Sequence, residues 1–220
     1  SVIDAIDPTK DIDGIHPLNA GLLRLGYDGF LPATAHAAVE ILRRSGIEIE
    51  GKDAVVIGRS TVVGLPAAFL LLREDATVTV CHSRTVDLAA HVRRADIVVV
   101  AAGHPGRITG EMLKPGAVVV DIAGDQGGCI ETTHETTHED PVFEAHGVIH
   151  YAVGNMPGAV PNTSTYALTN ATLPYILHVA DAGIERASHE NPGLAKGVNV
   201  VGGRGGFARA QRFDDNRHAA

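Results

Sequence analysis

A chain of 220 residues with 45% hydrophobic and 20% charged residues can bury a core as one large domain, or as one domain and part of a second. The formal net charge of −8 leaves no basic field to draw it onto nucleic acid or an anionic membrane, and its apolar runs fall far short of the ~20 residues of a spanning helix. Small-molecule chemistry remains; cysteines outside any CxxC or metal-type spacing and no visible secretory signal point to a reducing compartment, the cytoplasm.

Residues 1–30 read as a loop-rich lead, with turn chemistry at Asp13-Gly14 and His16-Pro17. From Thr34, apolar Ala37, Ala38, Ile41 and Leu42 recur at three- and four-residue spacings, and Gly46 can close that helix. Residues 54–58 form a β-branched run ending at a glycine, followed by a helix through Leu72 with Pro66 early in it. Further strand signals fall at 76–80, 96–100 and 117–121, with a short helix at 87–94 and a fifth strand at 148–153. Continuous rather than alternating apolar strands imply burial on both faces, as in a parallel sheet covered by helices. The β-α-β-α-β order predicts an α/β fold, a doubly wound parallel sheet of Rossmann type.

The polar stretch 125–140 is expected to be a crevice loop, and residues 164–182 carry helical spacing with a kink expected at Pro174. Four regions follow. Residues 1–50 are a remnant of a catalytic-domain connection with a linking helix, and 51–161 are a dinucleotide-binding domain. Residues 162–192 are a C-terminal helix and 193–220 a flexible tail, the terminal helices belonging to an absent or partial second domain.

A tight turn between the first strand and its helix leaves backbone N–H groups and the positive end of the helix dipole facing a ligand, a seat for pyrophosphate. Here that turn is Gly58-Arg59-Ser60-Thr61-Val62-Val63-Gly64. It departs from the GxGxxG fingerprint: Ser60 stands in place of the second glycine, and the last glycine comes one residue late. A site for NAD normally ends the second strand with an acidic residue for the ribose 2′-hydroxyl. This chain instead has Cys81-His82-Ser83-Arg84-Thr85, whose guanidinium and hydroxyls suit a 2′-phosphate, with Arg59 as a second cation. NADP is therefore expected, with NAD as the alternative.

Longer motifs carry resemblances. Lys10-Asp11-Ile12-Asp13-Gly14-Ile15-His16-Pro17, Val56-Ile57-Gly58-Arg59-Ser60, Val63-Gly64-Leu65-Pro66 and Val80-Cys81-His82-Ser83-Arg84-Thr85 resemble the bifunctional methylenetetrahydrofolate dehydrogenase/cyclohydrolase family over residues 7–106. That resemblance implies NADP on Gly58, Arg59, Ser60 and Ser83, and a folate-contacting role for Asp13. Over residues 112–199, Asp121-Ile122-Ala123-Gly124-Asp125-Gln126-Gly127-Gly128-Cys129, Asn155-Met156-Pro157-Gly158-Ala159 and Thr169-Asn170-Ala171-Thr172-Leu173-Pro174 are similar to alanine dehydrogenases. This second resemblance implies an active-site role for Asp125 and a place beside the nicotinamide for Asn155 and Met156. The chain thus reads as a mosaic. Both families carry catalytic or substrate-binding residues on an N-terminal domain that would precede Ser1, and Pro32-Ala33-Thr34-Ala35 departs from the folate family's Pro-Cys-Thr-Pro.

Asp125, just past the fourth strand, is the candidate to face the nicotinamide and handle the substrate's proton or developing charge, and Asp13 the candidate for the pterin; each has an equally good structural role as a turn residue. His134-Glu135-Thr136-Thr137-His138 spells HExxH, but adjacent threonines and the following Asp140-Pro141 disfavour the helix that such a zinc site needs, and no metal is expected. Three functions are compatible with these residues. The first is an NADP-dependent oxidoreductase of the methylenetetrahydrofolate dehydrogenase type, or its cofactor-binding half. The others are an alanine dehydrogenase-like NAD enzyme and a non-catalytic NADP-binding module. The substrate would be a folate or an amino acid/2-oxo acid, and the chain is expected to be a homo-oligomer.

Overall fold

The computed structural model of the chain describes residues 3–103, 106–124, 127–159, 161–198, 200–201 and 204–205. Two compact units are present, Ser1–Ser164 and Thr165–Ala220.

The first unit is built on a six-stranded sheet in the order β2-β1-β3-β4-β6-β5, with β1 Asp53–Ile57, β2 Thr77–Cys81, β3 Ile97–Val100, β4 Val118–Asp121, β5 Val142–Ala145 and β6 Val148–Tyr151. All neighbours run parallel except β5, which pairs antiparallel with β6 at the edge. The central strands are buried on both sides because alternate residues enter two separate cores. Ala54, Val56, Ile97, Val99, Val118 and Val120 pack on one face with Ala37, Ala38, Leu42, Ala67 and Leu71. Val55, Ile57, Val98, Val100 and Val119 pack on the other with Val92, Leu113 and Ile130. The doubly wound fold read from the apolar runs is the fold observed.

Helix α2, Ala33–Arg44, turns its small and branched residues to the sheet and pairs Glu40 with Arg44 at 2.7 Å on its outer side. Helices α3, Gly64–Arg73, and α4, Leu88–Val92, follow β1 and β2. Ahead of them lies α1, Pro17–Leu25, where a loop-rich lead was expected. His16 Nδ1 accepts from Leu18 N–H at 3.1 Å, Pro17 opens the helix, and Gly26 closes it in the left-handed region at φ 78. Only Leu23 of its apolar side chains is buried, with Leu18 and Leu25 exposed, so the inward-facing pattern was short. Both α1 and α2 pack on α3, and residues expected to form a remnant and linker fall within the unit that contains the sheet.

Strand β5 was also unforeseen. Its hairpin to β6 turns on His146 and Gly147, both at positive φ (54° and 72°), the conformation that a two-residue type I′ turn requires.

The long helix α5, Pro161–Glu190, whose residues from Thr165 onward belong to the second unit, is interrupted at Gly183 (φ 74, ψ 157), and Pro174 lies within its helical run. Asn191 then caps α6, Pro192–Gly197, by accepting from Gly193 N–H and Leu194 N–H at 2.9 and 3.2 Å. Strands β7, Val200–Val201, and β8, Arg204–Gly205, pair antiparallel. Regular structure therefore extends into the expected flexible tail, of which residues 206–220 lie outside the described residues. No helix among the described residues is long and apolar enough to cross a membrane.

Candidate functional site

In the sheet order, β2 lies on one side of β1 and β3 on the other, so the chain reverses its winding there. Open α/β sheets take ligands in the crevice that such a reversal leaves at the carboxyl ends of the strands. Gly58 stands there at φ 124, donating its N–H to Cys81 O at 2.9 Å, while Ala101 N–H donates to Ile57 O at 2.8 Å. A Cβ on Gly58 would lie 2.4 Å from Ala101 O, and one on Gly64 would lie 2.2 Å from Gly58 O. Both ends of the turn therefore need glycine, and the start of α3 sits directly against the end of β1.

Ser60 gives the unusual spacing a physical reason. Its Oγ accepts from Val63 N–H at 3.1 Å and Gly64 N–H at 3.3 Å, while its carbonyl accepts from Leu65 N–H at 3.0 Å. The serine thus caps the helix from within the turn, and part of the donor set expected to face a ligand is already satisfied. Arg59, Ser60, Thr61 and Val62 are exposed, Val63 is half-buried and Gly64 buried.

At the end of β2, Cys81 is fully buried, and burial pushes its thiol pKa up against a smaller opposing hydrogen bond from Thr85. The next turn is held by its own side chains. His82 N–H donates to Thr85 Oγ1 at 2.8 Å, Arg84 N–H donates to His82 Nδ1 at 3.1 Å, and Thr85 N–H donates to His82 O at 2.9 Å. Ser83 and Arg84 are left exposed beside the Gly58 turn, since β1 and β2 are neighbours.

The loop after β4 is organised by a residue that sequence reasoning passed over. The Asp121 carboxylate, fully buried, accepts from Cys129 N–H at 2.7 Å, Ile130 N–H at 3.1 Å and Ala123 N–H at 3.2 Å, drawing residues 123, 129 and 130 onto the strand end. An acidic residue closing an apolar strand was the available signal. The Cys129 thiol donates to Ala102 O, tying this loop to the exit of β3. The candidate catalytic residue Asp125 lies outside the described residues.

Past β6, Asn155 is exposed in the left-handed region at φ 56, whereas Met156 is 2% exposed and packed in the core. The two residues of the pair thus face different surroundings, and only Asn155 offers its side chain to a ligand. On the loop before α1, Asp13 is exposed. Its neighbour Asp11 is the buried carboxylate, accepting from His16 N–H at 2.7 Å, Asn19 Nδ2 at 2.8 Å and Ile15 N–H at 3.1 Å, which is a structural task.

The HExxH segment is extended, so His134 and His138 do not share a helical face. His134 stacks on Phe143 with ring centroids 3.7 Å apart, and Phe143 on His150 at 4.8 Å. Burial holds the His150 imidazole below its usual pKa; Nδ1 donates to Val148 O at 3.0 Å, leaving Nε2 to accept from Thr132 Oγ1 at 2.7 Å.

Residues 72–205 match the family described as alanine dehydrogenase/PNT, C-terminal domain. The chain is 44% identical over 179 residues to the bifunctional protein FolD of Pelotomaculum thermopropionicum, a match that covers 80% of this chain and 60% of that protein. The chain spans about half the length of the curated relatives it matches. Among solved structures it is similar to an L-alanine dehydrogenase, with TM-score 0.66 and 30% identity over 94% of this chain and 64% of the other. It is likewise similar to the methylenetetrahydrofolate dehydrogenase-cyclohydrolase of Trypanosoma brucei complexed with NADP and an inhibitor, with TM-score 0.61 and 37% identity over 76% of this chain and 60% of the other. Both resemblances in the sequence are thus present. They overlap rather than abut, since a 179-residue match extends past residues 7–106 and the family match begins at residue 72.

Proposed function

Since the chain belongs to the family of alanine dehydrogenase/PNT C-terminal domains, we propose that it binds NADP across the carboxyl ends of β1, β3 and β4. We propose further that it serves as the cofactor half of an oxidoreductase of the methylenetetrahydrofolate dehydrogenase type. The observation that carries this reading is the Gly58 to Gly64 cradle. A Cβ at either end would fill it, and Ser83 and Arg84 stand exposed beside it.

On this reading, exposed backbone N–H groups between Arg59 and Val62 take the pyrophosphate, with Val63 and Gly64 shaping the floor. Arg84, Ser83 and Arg59 take the 2′-phosphate, Arg84 by charge-assisted hydrogen bonds. The loop held by Asp121 forms one wall of the nicotinamide half, and Asn155 supplies a side-chain amide on the other. NADP, when bound, would supply a two-electron hydride acceptor; the protein's task is to orient it, exclude water and handle the substrate's proton or developing positive charge. Asp125 is proposed to face that charge and Asp13 a folate's pterin. Similarity to an L-alanine dehydrogenase over 94% of this chain, and the resemblance of the sequence 121–129 to that family, favour a second reading, an amino acid/2-oxo acid substrate with NAD. A binding module without catalysis is the third. We also propose self-association, supported by the exposed Leu168, Ile176 and Leu177 of α5; sedimentation as a monomer at micromolar concentration would remove it.

Calorimetric titration with NADP and with NAD tests the cofactor. Arg84→Ala is expected to weaken NADP about tenfold and NAD little, in line with the loss of a charge-assisted hydrogen bond. Equal losses would remove the NADP assignment, and no binding of either at millimolar concentration would remove the whole reading. Turnover of methylenetetrahydrofolate, or of alanine and pyruvate, then separates the enzymes from the binding module.

A further inference from the structure

The HExxH segment has a use that its sequence conceals. We propose that Glu135 and His138 are positioning residues that clasp the turn 154–158 and hold Asn155 in place at the nicotinamide half of the cofactor site; the last clause rests on the cofactor reading above.

Residues 131–138 run alongside the exit of β6 as a strap. Thr136 N–H donates to Ala152 O at 3.1 Å, Gly154 N–H donates back to Thr136 O at 3.3 Å, and Thr136 bridges Val153 in parallel register. This pairing places Glu135 and His138 over the turn at two points. A Cβ on Gly154 would lie 2.2 Å from Glu135 Oε1, and a Cβ on Gly158 would lie 2.9 Å from His138 Nε2. The side chains of the strap therefore occupy the space that the two glycines leave open.

Between those glycines, Asn155 adopts a backbone conformation that non-glycine residues rarely take, φ 56. Two donors converge on its carbonyl: His138 Nε2 at 3.1 Å and Gly158 N–H at 2.9 Å. They fix the plane of the peptide that follows Asn155, while Met156 anchors the same turn by burial in the core. Because the acceptor is a carbonyl, His138 must carry its proton on Nε2, a tautomer in which it serves as a donor and not as a metal ligand through that atom. The strap is braced internally by Thr136 Oγ1 donating to Pro141 O at 3.0 Å and by Asp140 N–H donating to Thr137 Oγ1 at 3.2 Å. Thr136 and Thr137 thus steady the strap itself, and His138 reaches from it to the turn. The turn in turn fixes where the exposed Asn155 amide can point.

The test compares two nucleotides that share the phosphate end and differ in the nicotinamide. In His138→Ala and in Gly158→Ala, which expels the imidazole, NADPH affinity should fall about fivefold, the size expected for one lost hydrogen bond, and the emission of bound NADPH should move toward that of the free cofactor. Affinity for 2′-phospho-ADP-ribose, which lacks the nicotinamide, should stay within about twofold, and His138→Gln, which keeps an N–H donor, should recover most of the loss. Equal weakening of both nucleotides, or unchanged NADPH binding in His138→Ala, overturns the proposal. Amide hydrogen exchange provides an arm independent of the cofactor. His138→Ala should speed exchange of the Gly154 and Gly158 N–H groups and leave the Val119 N–H unaltered; unchanged exchange at the two glycines overturns the clasp. If the wild-type chain binds neither nucleotide, the cofactor reading fails, and the exchange result alone decides whether His138 holds the turn.

Discussion

Gly64→Ala probes the seat of the helix on the strand, because its outcome depends on backbone spacing and not on the preference of a residue type. An added Cβ would stand 2.2 Å from Gly58 O, 2.6 Å from Gly58 C and 3.0 Å from Arg59 N, all backbone atoms with no rotamer to swing away. Relieving the closest contact requires the start of α3 to withdraw by about 1 Å from a close-packed position, and such overpacking costs roughly 1–3 kcal/mol. The gain in helix propensity, at most about 1 kcal/mol, offsets only part of that. For a chain of this size a net loss of about 1–2 kcal/mol corresponds to a fall in Tm of about 2–8 °C. Gly21→Ala is the matched control: Gly21 lies inside α1 with no heavy atom within 4 Å of the added Cβ. There the same substitution should stabilise by up to about 1 kcal/mol and raise Tm by about 2–4 °C. Differential scanning calorimetry of both variants, with nucleotide titration at 20 °C, gives the comparison. A Gly64→Ala protein that melts at or above the wild type and binds nucleotide equally well would refute the claimed seat, whatever Gly21→Ala does.

Asp121→Asn should cost about 2 kcal/mol in urea unfolding, because an amide NH2 is brought against backbone donors that the carboxylate satisfied; a loss below about 0.5 kcal/mol would count against its role in folding the loop. His150 carries a pH dependence whose sign follows from burial. The folded imidazole has a pKa below 6.5, so on acidification the unfolded chain takes up a proton before the native one does. The stability that this contributes above pH 6.5 is lost as pH falls through the folded value. The urea midpoint should therefore drop between pH 7.5 and pH 5.5, and less steeply in His150→Phe; parallel profiles would refute this assignment. Cys81 and Cys129 are both buried, and burial raises the Cys81 pKa, so thiol reagents should label neither quickly in the native protein and both in urea. Rapid labelling of Cys81 at pH 8 in the folded state would contradict that burial.

The sheet was legible because its central strands are unbroken β-branched runs. Val55-Val56-Ile57, Ile97-Val98-Val99-Val100 and Val118-Val119-Val120 can form stable strands only if both faces are covered, so the parallel, helix-covered arrangement follows from burial alone. Strand β5 was not legible in the same way: Val142-Phe143-Glu144-Ala145 lies at the edge, and the stacking of Phe143 between two imidazoles has no sequence periodicity. At the candidate site, the Gly58 turn was readable from its place after a strand. The capping by Ser60 was hidden, since the fingerprint treats that position as a place for backbone approach and not for a side-chain acceptor. Asp11 and Asp13 show the limit most clearly. Both belong to one turn motif, and only three-dimensional burial separates the structural carboxylate from the exposed one.

Two family resemblances can coexist in one sheet because the strands ask little of each other beyond volume. Where β3 meets β4, Ile97 pairs with Val118, Val98 with Val119 and Val99 with Val120, so the register joins residues of nearly interchangeable shape. The carboxyl-edge loops are not interchangeable, since each is fixed by specific contacts. Those contacts tie the loops to one another: Cys129 of the second segment donates to Ala102 O of the first, Ile108 bridges Ile130, and a Cβ on Gly124 would lie 2.6 Å from Ala152 O. On the proposed reading, the phosphate end of the cofactor depends on the turns after β1 and β2, and the nicotinamide end on the loops after β4 and β6. Damage to the second set should therefore leave affinity for a nucleotide lacking the nicotinamide largely intact while weakening the whole cofactor and changing the geometry at the reacting carbon. Affinity for a nucleotide lacking nicotinamide and affinity for the whole cofactor thus report on different parts of the same edge.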